Sequence, residues 1–106
     1  MATHQSREAT FRVLDALDAP HGGRILRLRL QSGEAPPVKA LKGARMRAVS
    51  PDGDDERSIR IKGFAVMGGR PSDDRLARTG RVDVHVEEDD ADQPVSLKWR
   101  VSGPVS

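Results

Sequence analysis

The strongest constraint on the fold of this chain is an alternation of apolar and charged residues with a period of two. In the clearest stretch, residues 23–30, three leucines alternate with Arg27 and Arg29. Successive side chains of a β-strand point to opposite faces, so this pattern predicts a strand with one buried and one solvated face. The same period recurs at 44–48, 58–62, 81–87 and 95–101. A strand is also expected near 10–17, although Asp15 interrupts its apolar face.

Turn residues separate these segments, and no amphipathic helix of ten or more residues is visible. A short helical turn is predicted near residues 72–79, with Ser72 as its N-cap and Gly80 at its end. Short strands with one apolar face must close on themselves to protect their edges. The sequence therefore predicts an all-β fold, a small closed or partly open antiparallel barrel of six to seven strands. Residues 10–106 form this single domain, and residues 1–9 are predicted to be a flexible N-terminal tail.

Composition excludes several functions. The chain has no cysteine, which removes disulfides, thiolate nucleophiles and cysteine-based metal sites. It has neither a signal-peptide pattern nor an apolar run of membrane-spanning length, so we expect a cytoplasmic protein without membrane contact. Its aromatic residues are Phe11, Phe64 and Trp99, and Trp99 alternates with apolar neighbours as a core residue does. Too few rings remain to stack nucleic-acid bases.

Charge is segregated along the chain, although the net charge is only +2. Residues 24–49 carry seven basic side chains and one acidic side chain, and residues 57–82 carry seven and two. The acids collect at 50–56 and 83–92, with four and six respectively. More than half of these basic residues therefore fall on predicted strands, whereas the acids fall mainly in connections.

Six basic residues are predicted to project from the outer faces of three strands. They are Arg27, Arg29, Arg45, Arg47, Arg60 and Lys62. If these strands are neighbours, the side chains form a ladder of cations that suits phosphate oxygens. The alternative is that they pair with the acids of the connections, or reflect the arginine-rich composition that a GC-rich genome produces, and only keep the surface soluble.

The order of the strands and turns resembles the second-domain β-barrel of translational GTPases such as elongation factor Tu. The matching segments are 11–15, 22–24, 26–33, 41–46, 59–64, 79–84 and 95–101. The resemblance implies a free-standing barrel that contacts RNA, the ribosome or a protein. It implies no nucleotide binding, because the chain has no Gly-x-x-x-x-Gly-Lys-Ser/Thr loop. An acid that helps to hold aminoacyl-tRNA in elongation factor Tu has no counterpart in the matching segment 65–67, so that role is not carried over.

Other reactive residues give weaker patterns. Asp83, His85 and Glu87 share one strand face but are spaced too widely to converge on one ion. The acidic segment 87–92 is expected to be a solvated tip rather than a cation site, and His21 a turn residue. The glycines of 68–70 are interpreted as part of a loop, with an anion-binding nest as the alternative. No catalytic, metal or cofactor site is predicted, and no elbow marks a serine nucleophile.

The leading prediction is a non-enzymatic binding module that associates with RNA or the ribosome through the six basic residues. The alternative is a protein-interaction or accessory domain that uses a strand edge or a dimer face. A small hydrolase or transferase ranks last, because no nucleophile and base can be placed together.

Overall fold

The chain folds into a closed antiparallel barrel of six strands. The computed structural model describes residues 9–20, 22–65, 72–88 and 94–104. The strands are β1 (Ala9–Asp18), β2 (Arg24–Ser32), β3 (Arg45–Val49), β4 (Glu56–Phe64), β5 (Arg81–Glu88) and β6 (Arg100–Gly103). Two short helices, α1 (Val38–Leu41) and α2 (Asp73–Thr79), lie in the connections. The order around the barrel is β1-β2-β5-β4-β3-β6, which confirms the predicted fold class.

The inward residues of the predicted alternation make up the core. The following strand residues have at most 6% of their surface exposed: Ala9, Phe11, Val13, Leu26, Leu28, Met46, Ala48, Ile59, Ile61, Val82, Val84, Val86 and Val101. Burying one such Val, Leu, Ile, Met or Phe side chain contributes about 1.5–3 kcal/mol. The basic residues that alternate with them are left on the outer wall.

A bulge in β1 explains how Asp15 fits into a strand. The pairing of β1 with β2 shifts after Val13, which makes Leu14 an extra residue. Beyond the bulge Asp15 pairs with Arg27, and Ala16 packs against the core. A bulge changes the face to which the following residues point, so Asp15 does not interrupt the apolar side.

The last predicted strand is shorter than expected. A turn occupies residues 97 and 98, where Lys98 has a positive φ of 70°, and β6 begins only at Arg100. Leu97, predicted to point inward, is 51% exposed because this turn breaks the alternation. Val95 and Trp99 are buried as predicted, at 0% and 8% exposure.

Helix α2 has the ends that the sequence predicts. The Ser72 hydroxyl accepts a hydrogen bond from the backbone N–H of Arg75 at 3.1 Å. Gly80 ends the helix in the left-handed region, with φ of 71°, and its carbonyl accepts a hydrogen bond from the Leu30 N–H. The helix is therefore fixed to the end of β2 from which the α1 connection departs.

Helices α1 and α2 meet at one end of the barrel. The Asp73 carboxylate accepts a hydrogen bond from the Val38 N–H at 2.7 Å. Leu41 of α1 and Leu76 of α2 are buried, at 1% and 2% exposure, and close this end of the core. Neither helix is long and apolar enough to cross a membrane.

Candidate nucleic-acid interface

All six predicted basic residues are exposed on the barrel wall, but they do not form one ladder. Arg27 and Arg29 lie on β2, whereas the other four lie on β3 and β4. Strand β5 stands between β2 and β4. The condition for a single ladder, that the three strands be neighbours, is therefore met for β3 and β4 and not for β2.

Three of the six have carboxylate partners. Arg27 Nε lies 3.2 Å from Asp83 Oδ1, and Lys62 Nζ lies 3.7 Å from Glu87 Oε2. Both acids belong to the outer face of β5. Arg47 also lies within 3.9 Å of a carboxylate, that of Glu56. These cations are partly neutralised, so they attract a phosphate less strongly than an unpaired arginine does.

Arg29, Arg45 and Arg60 have no carboxylate within ion-pair distance in the described part of the chain, although Glu87 stands opposite Arg60 on β5. Of these three, Arg45 and Arg60 lie outside β2. They are directly opposite each other on β3 and β4. This pair is the part of the predicted ladder that the strand order does assemble.

A larger unpaired group lies on the other side of the barrel, where four arginines form a row across four adjacent strands. Arg100 of β6 pairs with Arg12 of β1, Arg12 pairs with Arg29 of β2, and Arg29 pairs with Arg81 of β5. All four are exposed. Within the described residues none of them has a carboxylate at ion-pair distance. We call these four residues the arginine row.

The arginine row is electrostatically unfavourable in the free protein. Directly opposed residues of an antiparallel pair have Cβ atoms about 4.5–5.5 Å apart, and like charges placed there destabilise the sheet. An anion that bridges neighbouring guanidinium groups removes this repulsion and receives paired N–H donors from each fork. The row is therefore suited to a ligand with several regularly spaced oxyanions.

Two hydroxyl groups lie on the same face of β1 and β6, two residues away from Arg12 and Arg100. Thr10 of β1 is opposite Ser102 of β6, and their oxygens are 3.2 Å apart. Arg47 of β3 is in turn opposite Ser102. This hydroxyl pair, Thr10 and Ser102, adds neutral donors and acceptors beside the cations of the row.

Of the four members of the row, only Arg29 is among the six predicted basic residues. Alternation with buried neighbours does place Arg12, Arg81 and Arg100 on the outer face. Their alignment depends on β1 pairing with both β2 and β6, and on β5 pairing with β2. Such long-range pairings leave no mark in the local residue pattern.

The three potential metal ligands on β5, Asp83, His85 and Glu87, each contact a different residue. Asp83 pairs with Arg27, Glu87 pairs with Lys62, and His85 Nε2 lies 3.1 Å from the Gly22 carbonyl oxygen. No group of residues able to hold a metal ion occurs in the described ranges. Residues 1–8, 21, 66–71 and 89–93, which include most of the predicted tail, His21 and most of the acidic segment, lie outside those ranges. Ala9, predicted to belong to the tail, instead begins β1 and is 1% exposed.

A cleft of about 540 Å³ beside the β1–β2 turn is a second candidate. Its most buried charge is the Glu88 carboxylate, which is 5% exposed. This carboxylate accepts hydrogen bonds from the Val95 N–H at 2.6 Å and from Arg24 Nη1 at 3.3 Å. Arg24 also lies 3.3 Å from Asp18. The charged side chains of this cleft pair mainly with one another. The cleft is therefore a weaker candidate for ligand binding than the arginine row.

No known family model matches the chain, and no curated protein or solved structure is detectably similar to it.

Proposed function

We propose that this protein is a non-catalytic binding module that associates with RNA through the arginine row. The single observation behind the proposal is the alignment of four exposed arginines on adjacent strands without carboxylate partners among the described residues. Phosphate contact requires charge and N–H donors, and it requires no aromatic ring. The proposal thus agrees with an outer wall on which none of the three aromatic residues is fully exposed.

The ligand is expected to be bound through its backbone. Contacts between arginine and phosphate fix position and supply affinity, but they do not read base sequence. Affinity should therefore fall steeply with salt and vary little between sequences. The resemblance to the barrel of translational GTPases makes ribosomal RNA the first ligand to test.

A protein partner is the second candidate function. Leu14, Leu17 and Leu97 are 36%, 39% and 51% exposed. The Lys98 N–H, next to Leu97, donates to the carbonyl oxygen of Val13, next to Leu14, so an apolar docking face would be centred there. A strand edge is less suited to this role, because each of the six strands has neighbours on both sides in the closed barrel. This alternative predicts a defined oligomer or a partner that remains bound after nuclease treatment.

The proposal is tested by filter binding of bulk ribosomal RNA in low salt with two matched variants. The row variant, Arg12→Gln/Arg29→Gln, removes two charges from the centre of the arginine row. The control variant, Arg45→Gln/Arg60→Gln, removes two charges from the other directly opposed and unpaired arginine pair. Both lower the net charge by two at exposed positions, so they differ in location and not in total charge.

We expect the row variant to lose about tenfold or more in affinity, because two direct phosphate contacts are removed. The control variant should lose much less, since it changes only the overall electrostatic attraction. Equal losses in the two variants would mean that binding follows net charge, and the proposal would fail. Binding no stronger than that of an unrelated protein of equal charge would also refute it.

A further inference from the structure

We infer that the ligand of the arginine row is double-stranded RNA rather than a single strand. This inference rests on the proposed function and goes beyond it by naming the form of the nucleic acid. It depends on the absence of a stacking surface, on the shape of the wall that carries the row, and on the hydroxyl pair next to it.

The described aromatic rings do not offer a stacking platform. Phe11 is 0% exposed and Trp99 is 8% exposed, and Phe64 is half-buried and packs against the core. Proteins that hold single strands gain much of their affinity from bases stacked on aromatic side chains. A single strand on this wall would find no fully exposed aromatic ring to stack on and would still have to be ordered on binding.

The wall that carries the row is also unlike a single-strand channel. The row crosses four adjacent strands on the outside of a closed barrel, a convex surface that spans about 14–15 Å at the usual strand spacing. The cleft described above lies beside the β1–β2 turn and is lined by three acids, Asp18, Glu87 and Glu88. A rigid duplex can lay its backbone across a convex wall, whereas a flexible strand needs a groove to follow.

The hydroxyl pair favours RNA over DNA. Thr10 and Ser102 lie two residues along the strands from Arg12 and Arg100. A sugar-phosphate backbone that contacts the row therefore passes close to them. Their hydroxyl groups can donate to or accept from the ribose 2′-OH. Double-stranded RNA is recognised mainly through its shape, its phosphates and this 2′-OH, which DNA lacks.

The test compares three probes of one sequence and length: a blunt RNA duplex, one of its strands chosen to be unstructured, and the corresponding DNA duplex. Affinities are measured by fluorescence anisotropy for the full chain, the row variant and the control variant. We expect the RNA duplex to bind about tenfold more tightly than the strand, because a duplex presents a higher density of phosphate charge and is already ordered. The row variant should lose affinity for the duplex more than the control variant does.

The hydroxyl variant Thr10→Val/Ser102→Ala tests the choice of RNA over DNA. Valine keeps the branched shape of threonine, and Ser102→Ala alone serves if the double variant is unstable. The preference for the RNA duplex over the DNA duplex should fall severalfold, while the salt dependence of binding stays unchanged. If the hydroxyl pair served only to stabilise the fold, its removal would weaken binding to the RNA duplex and to the DNA duplex equally.

The outcomes separate the inference from the function on which it rests. If the single strand or the DNA duplex binds as tightly as the RNA duplex, while the row variant still loses affinity, the inference is overturned and the proposed function stands. If the row variant and the control variant behave alike on all three probes, the proposed function fails as well.

Discussion

Arg12 and Arg29 stand directly opposite each other on β1 and β2, with both guanidinium groups exposed. Arg12 is flanked on its other side by Arg100. Opposite charges at directly opposed positions stabilise a sheet, whereas like charges there cost stability. The arrangement keeps a cationic surface available at the expense of the free protein's stability.

The first prediction is that Arg12→Gln stabilises the protein in low salt. Removing one charge relieves repulsion from two neighbours, and we expect a gain of about 0.5–1 kcal/mol in the free energy of unfolding. The gain should shrink at high salt, where exposed charges are screened. Arg27→Gln is the control: it breaks the pair with Asp83 and should lose up to about 1 kcal/mol. Urea denaturation measures both variants, and a loss of stability in Arg12→Gln contradicts the repulsion.

The second prediction contrasts two adjacent glutamates. Glu88 is 5% exposed and holds both the Val95 N–H and Arg24, so Glu88→Gln should cost about 1–3 kcal/mol by weakening charge-assisted bonds to buried donors. Glu87 is 63% exposed and pairs with an exposed lysine, so Glu87→Gln should cost less than about 0.5 kcal/mol. Thermal unfolding of the two variants compares their losses of stability. Equal costs would show that the Glu88 interactions add little.

A third prediction concerns the turn between β1 and β2. Gly22 and Gly23 both have positive φ, at 100° and 77°, which costs any other residue about 1–2 kcal/mol. A Cβ on Gly23 would lie 3.0 Å from the Val86 carbonyl oxygen and 3.1 Å from His85 Nε2, whereas one on Gly22 would meet no atom within 4 Å. Gly23→Ala should therefore be clearly less stable than Gly22→Ala in chemical denaturation. The packing explanation fails if the two variants are equally stable.

The fourth prediction concerns the β3–β4 turn, where the pKa of Asp52 lies below its ordinary value of 3.8. The Ser50 hydroxyl donates to Asp52 Oδ1 at 2.6 Å, and the Asp54 N–H donates to the same oxygen at 3.0 Å. Both bonds favour the ionised carboxylate. Their stabilising effect is therefore complete above the ordinary pKa and is lost as the pH falls through the lowered one.

Replacing Ser50 with alanine removes the larger of these two causes. We expect the Asp52 pKa to rise toward its ordinary value in Ser50→Ala, as followed by the NMR shift of its carboxyl carbon. Ser96→Ala, at an exposed position outside this turn, should leave it unchanged. An Asp52 pKa that stays the same in Ser50→Ala would assign the shift to another cause.

The strands were predictable because each one carries its own evidence. Residues such as Leu26, Ile61 and Val84 alternate with charged neighbours, and burial on one face is all that a strand of this kind requires. The helix ends at Ser72 and Gly80 were predictable for the same reason, since capping is a local interaction.

The features that escaped prediction depend on partners far away in the sequence. The bulge at Leu14 appears only when β1 is aligned with β2. The turn at Lys98 depends on its contact with β1, where its N–H donates to the Val13 carbonyl oxygen. The arginine row requires the order of four strands to be known, and the insertion of β5 between β2 and β4 is what divides the predicted ladder.

The salt dependence of binding to an RNA duplex shows whether the arginine row is the surface that binds phosphates. The slope of log affinity against log salt counts the phosphates that the protein neutralises. It should become shallower by about one for each phosphate-binding arginine removed. If the row binds phosphates, the slope falls by about two units in Arg12→Gln/Arg29→Gln and hardly changes in Arg45→Gln/Arg60→Gln. Identical slopes for wild type and the row variant would contradict this role of the row.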